Sequence, residues 1–255
     1  MKESKIITTY LPKGGVGKTT ITCLLAYELT KYGKVLVIDA DNQGSTTFLL
    51  VDDYENEKNK GYADVLKGNI QLKDALIEKK LENQKEIYVL GTFTKDDELR
   101  RYLDSTFRDE PENLTILLQQ ANELDFDYIL IDLPGTYGYH EKQILSKVHE
   151  LIPIVEPEEL SLEELKKLHP QLKKLKLGLG AKGVDYKRII INKENSTKKV
   201  HQVYTDMLKN TAFKIYEIKD SAAISNAMSQ HLTLQEYQLN NKLNAVIEQL
   251  AIDIK

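Results

Sequence analysis

Residues 13–20 read Lys13-Gly14-Gly15-Val16-Gly17-Lys18-Thr19-Thr20. Three glycines at these places let the backbone turn tightly and aim several N–H groups inward, a nest that holds the oxygens of a polyphosphate. Lys18 adds a point charge at the outer phosphates, and the Thr19 hydroxyl suits a Mg²⁺ ligand. The surroundings fit. Ile6–Leu11 is an apolar, strand-like run entering the loop. Thr20–Tyr32 is helix-like after it, with Leu24, Leu25 and Leu29 on one face and Gly33 as its stop.

Further strand candidates are Val35–Asp39, Ile87–Leu90, Tyr128–Asp132, Leu151–Val155 and Arg188–Asn192. They are continuous apolar runs, as strands buried on both faces of a parallel sheet require. Helical patterns separate them: Gly61–Lys79, Leu114–Leu124, Glu141–Glu150, Ser161–Leu175, Thr197–Lys209 and Asn240–Asp253. This alternation predicts a doubly wound α/β fold of the P-loop NTPase type, a mostly parallel sheet with helices on both faces. Its ligands sit at the carboxyl ends of the strands. The Gly-rich loop, Asp39, Asp41 and Asp132 all fall at such ends. Val51–Lys60 and Asp104–Asn113 read as loops.

The general P-loop pattern needs Gly at position 12, where this chain has Pro12, and a second lysine, Lys13, stands five residues before Lys18. This is a deviant Walker A motif, K-G-G-x-G-K-[ST], and the chain resembles the ParA/MinD superfamily of P-loop ATPases. The segment Asp39-Ala40-Asp41-Asn42-Gln43-Gly44 is similar to that group's D-x-D-P-Q-G, with Asn42 replacing Pro. Tyr128–Asp132 is similar to a Walker B strand, followed by Leu133-Pro134-Gly135-Thr136 where the family has a small residue and two prolines. Gly61–Gly68 also resembles ParA, and Ile218-Lys219-Asp220 stands where these proteins often have Ile-Pro-Arg.

The resemblance implies a set of roles. Gly14, Gly15, Val16, Gly17, Lys18, Thr19 and Thr20 would hold ATP. Thr19, Asp39 and Asp132 would serve Mg²⁺. Lys18 and Asp41 would act in hydrolysis, Asp41 by placing the attacking water. Lys13, the signature lysine, would reach the nucleotide of a partner subunit. Asn192 would lie near the adenine. Two of these have plain alternatives: Asp41 caps its own turn, and Asn192 merely ends a strand.

Length bounds the chain to one large α/β domain or two small ones; the resemblance spans nearly all of it, so one ATPase domain over 1–255 is expected. It starts at the loop strand, so a helix-turn-helix extension and site-specific operator binding are not expected. Apolar content of 41% and charge of 29% fit a soluble globular protein, and no apolar run is long enough to span a bilayer. The single cysteine, Cys23, excludes internal disulfides and iron–sulfur relatives, and reads as a small core residue. Five scattered histidines show no ligand spacing. Fourteen tyrosines, none clustered at the tail, argue against the bacterial tyrosine-kinase branch. A cytoplasmic protein is expected.

Net charge is −4, so nucleic-acid binding would need local asymmetry. Residues 166–199 supply it, with eleven Lys and Arg against Asp185 and Glu194. Lys173, Lys174, Lys176, Lys187, Arg188, Lys198 and Lys199 are candidate contacts to non-specific DNA; the alternative is a solvated helix face. The tail carries Leu243, Val246, Ile247, Leu250 and Ile254, with only Lys242 and Lys255 as cations. That composition favours a packed closing helix over a membrane-surface helix. The expected protein is a partition ATPase: a nucleoid-associated homodimer with ATP, reset by slow hydrolysis that a ParB-like partner stimulates. A MinD-like membrane-surface ATPase is the alternative. An ATP-dependent ligase is a third reading, for which no small-molecule signature is present.

Overall fold

The computed structural model describes residues 3–52, 61–93, 98–181 and 184–255. The expected loop at Val51–Lys60 therefore lies mostly outside the described residues, as does Lys182 of the basic run.

The strands are β1 (Lys5–Tyr10), β2 (Val35–Asp39), β3 (Ile77–Lys80), β4 (Glu86–Leu90), β5 (Tyr128–Asp132), β6 (Glu150–Val155), β7 (Arg188–Glu194) and β8 (Lys214–Lys219). They form a sheet in the order β3-β4-β2-β5-β1-β6-β7-β8. Every pairing is parallel except β3 with β4. Strands β2 and β5 are fully buried, which explains why their sequences do not alternate. Ile7, Leu25, Val37, Ile131, Ile152 and Ile190 belong to the central core.

The helices are α1 (Lys18–Leu29), α2 (Ser45–Leu50), α3 (Tyr62–Leu66), α4 (Leu72–Ala75), α5 (Glu98–Ser105), α6 (Glu112–Glu123), α7 (Tyr139–Lys147), α8 (Glu159–Leu179), α9 (Lys199–Lys209), α10 (Ala222–Ser229), α11 (Leu234–Tyr237) and α12 (Lys242–Ile254). Helix α1 is buried on nearly all sides, with Cys23 fully inside. Helix α12 packs against it and buries Leu243, Ile247, Leu250 and Ile254. The tail's apolar face is thus spent on the core. No helix among the described residues is long and apolar enough to cross a membrane.

Three expectations need correction. Gly61–Lys79 is not one helix: Gly68 adopts φ 74°, which stops α3, and the chain then forms the short α4 and the edge strand β3. The helix expected over Glu141–Glu150 ends at Lys147, because Glu150 opens β6 beside β1. The expected loop Asp104–Asn113 contains the end of α5 and the start of α6. Strand β8 was also not foreseen, although Tyr216 and Ile218 alternate with more exposed neighbours as an edge strand should.

Candidate nucleotide-binding site

The turn between β1 and α1 lies at the carboxyl end of the sheet. Gly15 and Gly17 have φ of 78° and 99°, in the left-handed region that favours glycine. A Cβ at Gly17 would also collide with the Asn192 amide. No side chain caps α1, so its first amides face the loop and carry the positive end of the helix dipole. The Lys18 ammonium bends back into this turn and donates to the carbonyl of Lys13 at 2.7 Å. Burial lowers the Lys18 pKa, opposed by the charges of Asp132 and Asp41. The loop is a cationic, amide-lined cup.

The cup opens into a cavity of about 720 Å³ lined by Gly14, Gly15, Gly17, Lys18, Thr19, Thr20, Asp41, Gln43, Gly44, Ser45, Gly135 and the apolar Phe48, Leu49 and Met228. The structure therefore brings together most of the expected loop residues and Asp41. It does not bring Val16, Asp39, Asp132, Lys13 or Asn192 to the cavity wall. Val16 and Asn192 are buried behind the loop, where the Asn192 amide donates to the Val16 carbonyl at 2.8 Å. In this chain Asn192 holds the loop's shape. Asp41 accepts from the Gln43 amide at 2.9 Å, so it does cap its own turn while its side of the turn faces the cavity.

Beneath Thr19 lie two carboxylates. Asp39 and Asp132 are direct neighbours in the β2–β5 register, and both are fully buried. Adjacent strands stand about 4.8 Å apart, which brings the two charges close. Burial pushes Asp39 up to about 8, with the charge of Asp132 adding to it. Burial pushes Asp132 up to about 6, opposed by hydrogen bonds from Thr19 and Thr46. Thr19 and Thr46 donate to Asp132 Oδ2 at 2.6 and 2.7 Å. The Thr47 amide and hydroxyl hold Asp39 Oδ2 at 2.7 and 2.6 Å. Asp132 Oδ1 is buried without a hydrogen-bond partner among the described residues. An orphaned carboxylate oxygen beside a threonine hydroxyl and a second carboxylate is a hard-oxygen set, and it fits a Mg²⁺ that keeps several waters. No group of three His, Cys, Asp or Glu suited to a metal occurs among the described residues.

Lys13 is turned to its own protomer. Its ammonium pairs with Glu158, just before α8, and contacts the Ser161 hydroxyl at 3.0 Å. Thr46, Thr47, Glu158 and Ser161 were given no role by the sequence. Only Ser45-Thr46-Thr47, a hydroxyl run after Gly44, offered a signal. Gly135 lets the β5–α7 loop pack on the phosphate loop: a Cβ there would stand 2.9 Å from the Gly14 nitrogen.

The basic run does not form one surface. Helix α8 has 21 residues and is roughly 31 Å long, running from the carboxyl to the amino end of the sheet. Lys173, Lys174, Lys176 and Lys187 lie toward the amino end; Lys198 and Lys199 lie at the carboxyl end, by α9. Arg188 is committed to Glu150 and to the Asp253 carbonyl. Lys166, Lys167, Lys176 and Lys193 pair with Glu163, Glu164, Asp185 and Glu156.

The sheet order, the glycine cup and the buried aspartates define a P-loop nucleoside-triphosphatase fold. A family model described as an AAA domain matches residues 4–182, and the chain belongs to that family. An uncharacterized protein, BBD21, of Borreliella burgdorferi is 27% identical over 91% of this chain and 92% of its own length. The septum site-determining protein MinD of Helicobacter pylori is 34% identical over 62% of this chain, and the match spans only about half of that protein, 55%. A putative plasmid partition protein of Borrelia burgdorferi, solved with AMPPNP, shares the fold with a TM-score of 0.81 at 22% identity, covering 99% of this chain and 98% of that one. These likenesses agree with the ParA/MinD superfamily.

Proposed function

We propose that residues 1–255 form one Mg²⁺-dependent ATPase domain of the partition type, an ATP-driven dimeric switch that associates with DNA. The observation that carries the reading is the glycine cup, with the Lys18 ammonium bent into it, over the buried Asp39–Asp132 pair. In this reading Lys18 and the loop amides hold the phosphates, and Asp41 orients the attacking water. Thr19 and Asp132, with Asp39 behind, would hold Mg²⁺, which would supply charge neutralisation at the phosphoryl oxygens. Lys13 leaves Glu158 to complete a partner's site. The γ-phosphate then favours the dimer, and slow hydrolysis removes that bias. A ParB-like protein would accelerate the reset, and the protein would sit on the nucleoid in the cytoplasm.

The likeness to MinD supports a second reading, a membrane-surface ATPase. The buried face of α12 weighs against it, since that helix is not free to enter a bilayer. DNA retention and liposome flotation, each with ADP, ATP and a non-hydrolysable analogue, test the two. Retention on DNA with ATP alone supports partition; flotation without DNA retention overturns it. DNA binding through several phosphates should also weaken steeply between 50 and 200 mM salt.

A further inference from the structure

A second cleft, of about 330 Å³, lies on the far side of the loops that wall the nucleotide cavity. The residues of those loops divide between the two. Asp41, Gln43 and Gly135 face the nucleotide cavity, whereas Ala40, Asn42, Pro134, Thr136 and Gly138 face the cleft. The other wall is α5 and the turn after it, with Arg100, Leu103, Asp104 and Arg108, and its end is closed by His140 and Glu141. The chain has 35 Lys and Arg, and only Arg100, Arg101, Arg108 and Arg188 are arginines. Two of these four meet at this cleft.

The charges are unevenly engaged. Both oxygens of Glu141 are taken, by the Thr136 hydroxyl at 2.9 Å and the Gly138 amide at 2.6 Å. Among the described residues Arg100 has one long ion-pair contact, 3.8 Å, to Asp104, with both side chains largely exposed. Such a screened pair holds a guanidinium weakly. Arg108 is exposed and has no ion pair among the described residues. His140 is 4% exposed, its Nε2 meets the Tyr62 hydroxyl at 2.7 Å, and its Nδ1 has no hydrogen-bond partner among the described residues. The available groups are donors with fork geometry, which match a carboxylate.

We infer that this cleft docks a carboxylate side chain of a protein partner and that its occupancy is felt at Asp41 and the phosphate loop. The inference rests on the front cavity being the nucleotide site. The path is short. The Tyr10 hydroxyl, on the strand that leads into the phosphate loop, donates to the Thr136 carbonyl. Gly135 packs on the backbone of Lys13 and Gly14. A ligand that pulls Arg100 and Arg108 towards Asn42 and Thr136 changes the back of the same turns that present Asp41. Asn42 stands where the family has proline, so this turn keeps a free amide and a polar side chain on the cleft side.

The chain has no tryptophan, so Tyr139→Trp places a single tryptophan, excited selectively over the remaining tyrosines, on the cleft wall. The probe is acetyl-tetraglutamate amide, titrated against this variant and, by calorimetry, against the unmodified chain. Saturable binding is expected, weakened roughly tenfold by Arg100→Gln or Arg108→Gln, the loss of one charge-assisted pair. Free glutamate and inorganic phosphate should bind more weakly than the peptide. Mg-ATP should shift the peptide affinity in the unmodified chain and not in Lys18→Ala, because coupling is reciprocal. No saturation while ATP still binds overturns the proposal alone. Equal binding by phosphate replaces the partner carboxylate with a small anion and also overturns it. Saturation that ignores both arginine substitutions does the same. Peptide saturation in a chain that binds no ATP leaves the cleft standing and removes the nucleotide reading.

Discussion

Lys13 and Glu158 form an ion pair inside one protomer, joining the start of the phosphate loop to the residue before α8. The Lys13 hydrogen bond is the main cause holding the Glu158 carboxyl below its usual range. The Lys13 side chain is 21% exposed and that of Glu158 40%, so the pair is partly screened. If Lys13 must cross to a partner's nucleotide, this contact opposes dimerisation.

Glu158→Ala should therefore strengthen ATP-dependent dimerisation. A partly exposed pair contributes about 0.2–1 kcal/mol and each dimer releases two of them, about 0.4–2 kcal/mol, which corresponds to a gain of up to roughly thirtyfold in dimer affinity. Sedimentation velocity with Mg-ATP across a concentration series reads it. An unchanged or weaker dimer would show that the contact is no restraint. Lys13→Ala should bind ATP normally and fail to dimerise.

Lys18→Ala should lose nucleotide binding. Its ammonium already sits in the loop, held by the Lys13 carbonyl, so little reorganisation is needed to meet a phosphate. Removing a charge-assisted contact of this kind should weaken ATP by roughly 100-fold, about 3 kcal/mol. Calorimetry at fixed Mg²⁺ measures it; affinity within a factor of three of the parent chain would rule the role out.

The sheet was legible because its strands are buried on both faces and read as unbroken apolar runs. The cup was legible because glycines at fixed spacing have few other uses. The edge strands β3 and β8 were not, because one-sided burial leaves weak patterns in Ile77–Lys80 and Lys214–Lys219. Contacts between distant segments were invisible in the same way. Nothing local to Glu158 or Thr46 announces that it faces Lys13 or Asp132. The spread of the lysine run in space was equally illegible: adjacency in sequence does not survive a helix that carries its two ends to opposite ends of the sheet.

Thr46→Val tests the floor of the site. Thr46 is fully buried and donates to Asp132 at 2.7 Å, and valine keeps its shape without the hydroxyl. Leaving a buried carboxylate short of one donor should cost about 1–3 kcal/mol in urea unfolding without nucleotide. Mg-ATP should raise the stability of both proteins by its binding linkage, and the variant's deficit should narrow if a cation reaches Asp132. A deficit that is the same with and without Mg-ATP would count against Asp132 as the metal's neighbour.

His140 should make the protein acid-sensitive. Burial holds its pKa down at about 3, against an ordinary value of 6.5. It faces Tyr62 and Phe107, and shares the second cleft with Arg100, Arg108, Asp104, Tyr139 and Glu141. The folded chain thus binds fewer protons here than the unfolded chain between those values, so stability falls as pH drops through that window. The slope for one proton is about 1.36 kcal/mol per pH unit, which gives about 2 kcal/mol between pH 6.5 and 5. His140→Gln can keep the bond to the Tyr62 hydroxyl and cannot titrate, so its stability should be flatter over this range. Urea unfolding of both proteins at pH 7, 6 and 5 provides the comparison. Parallel pH profiles would mean that the imidazole is protonated in the fold as easily as in the open chain.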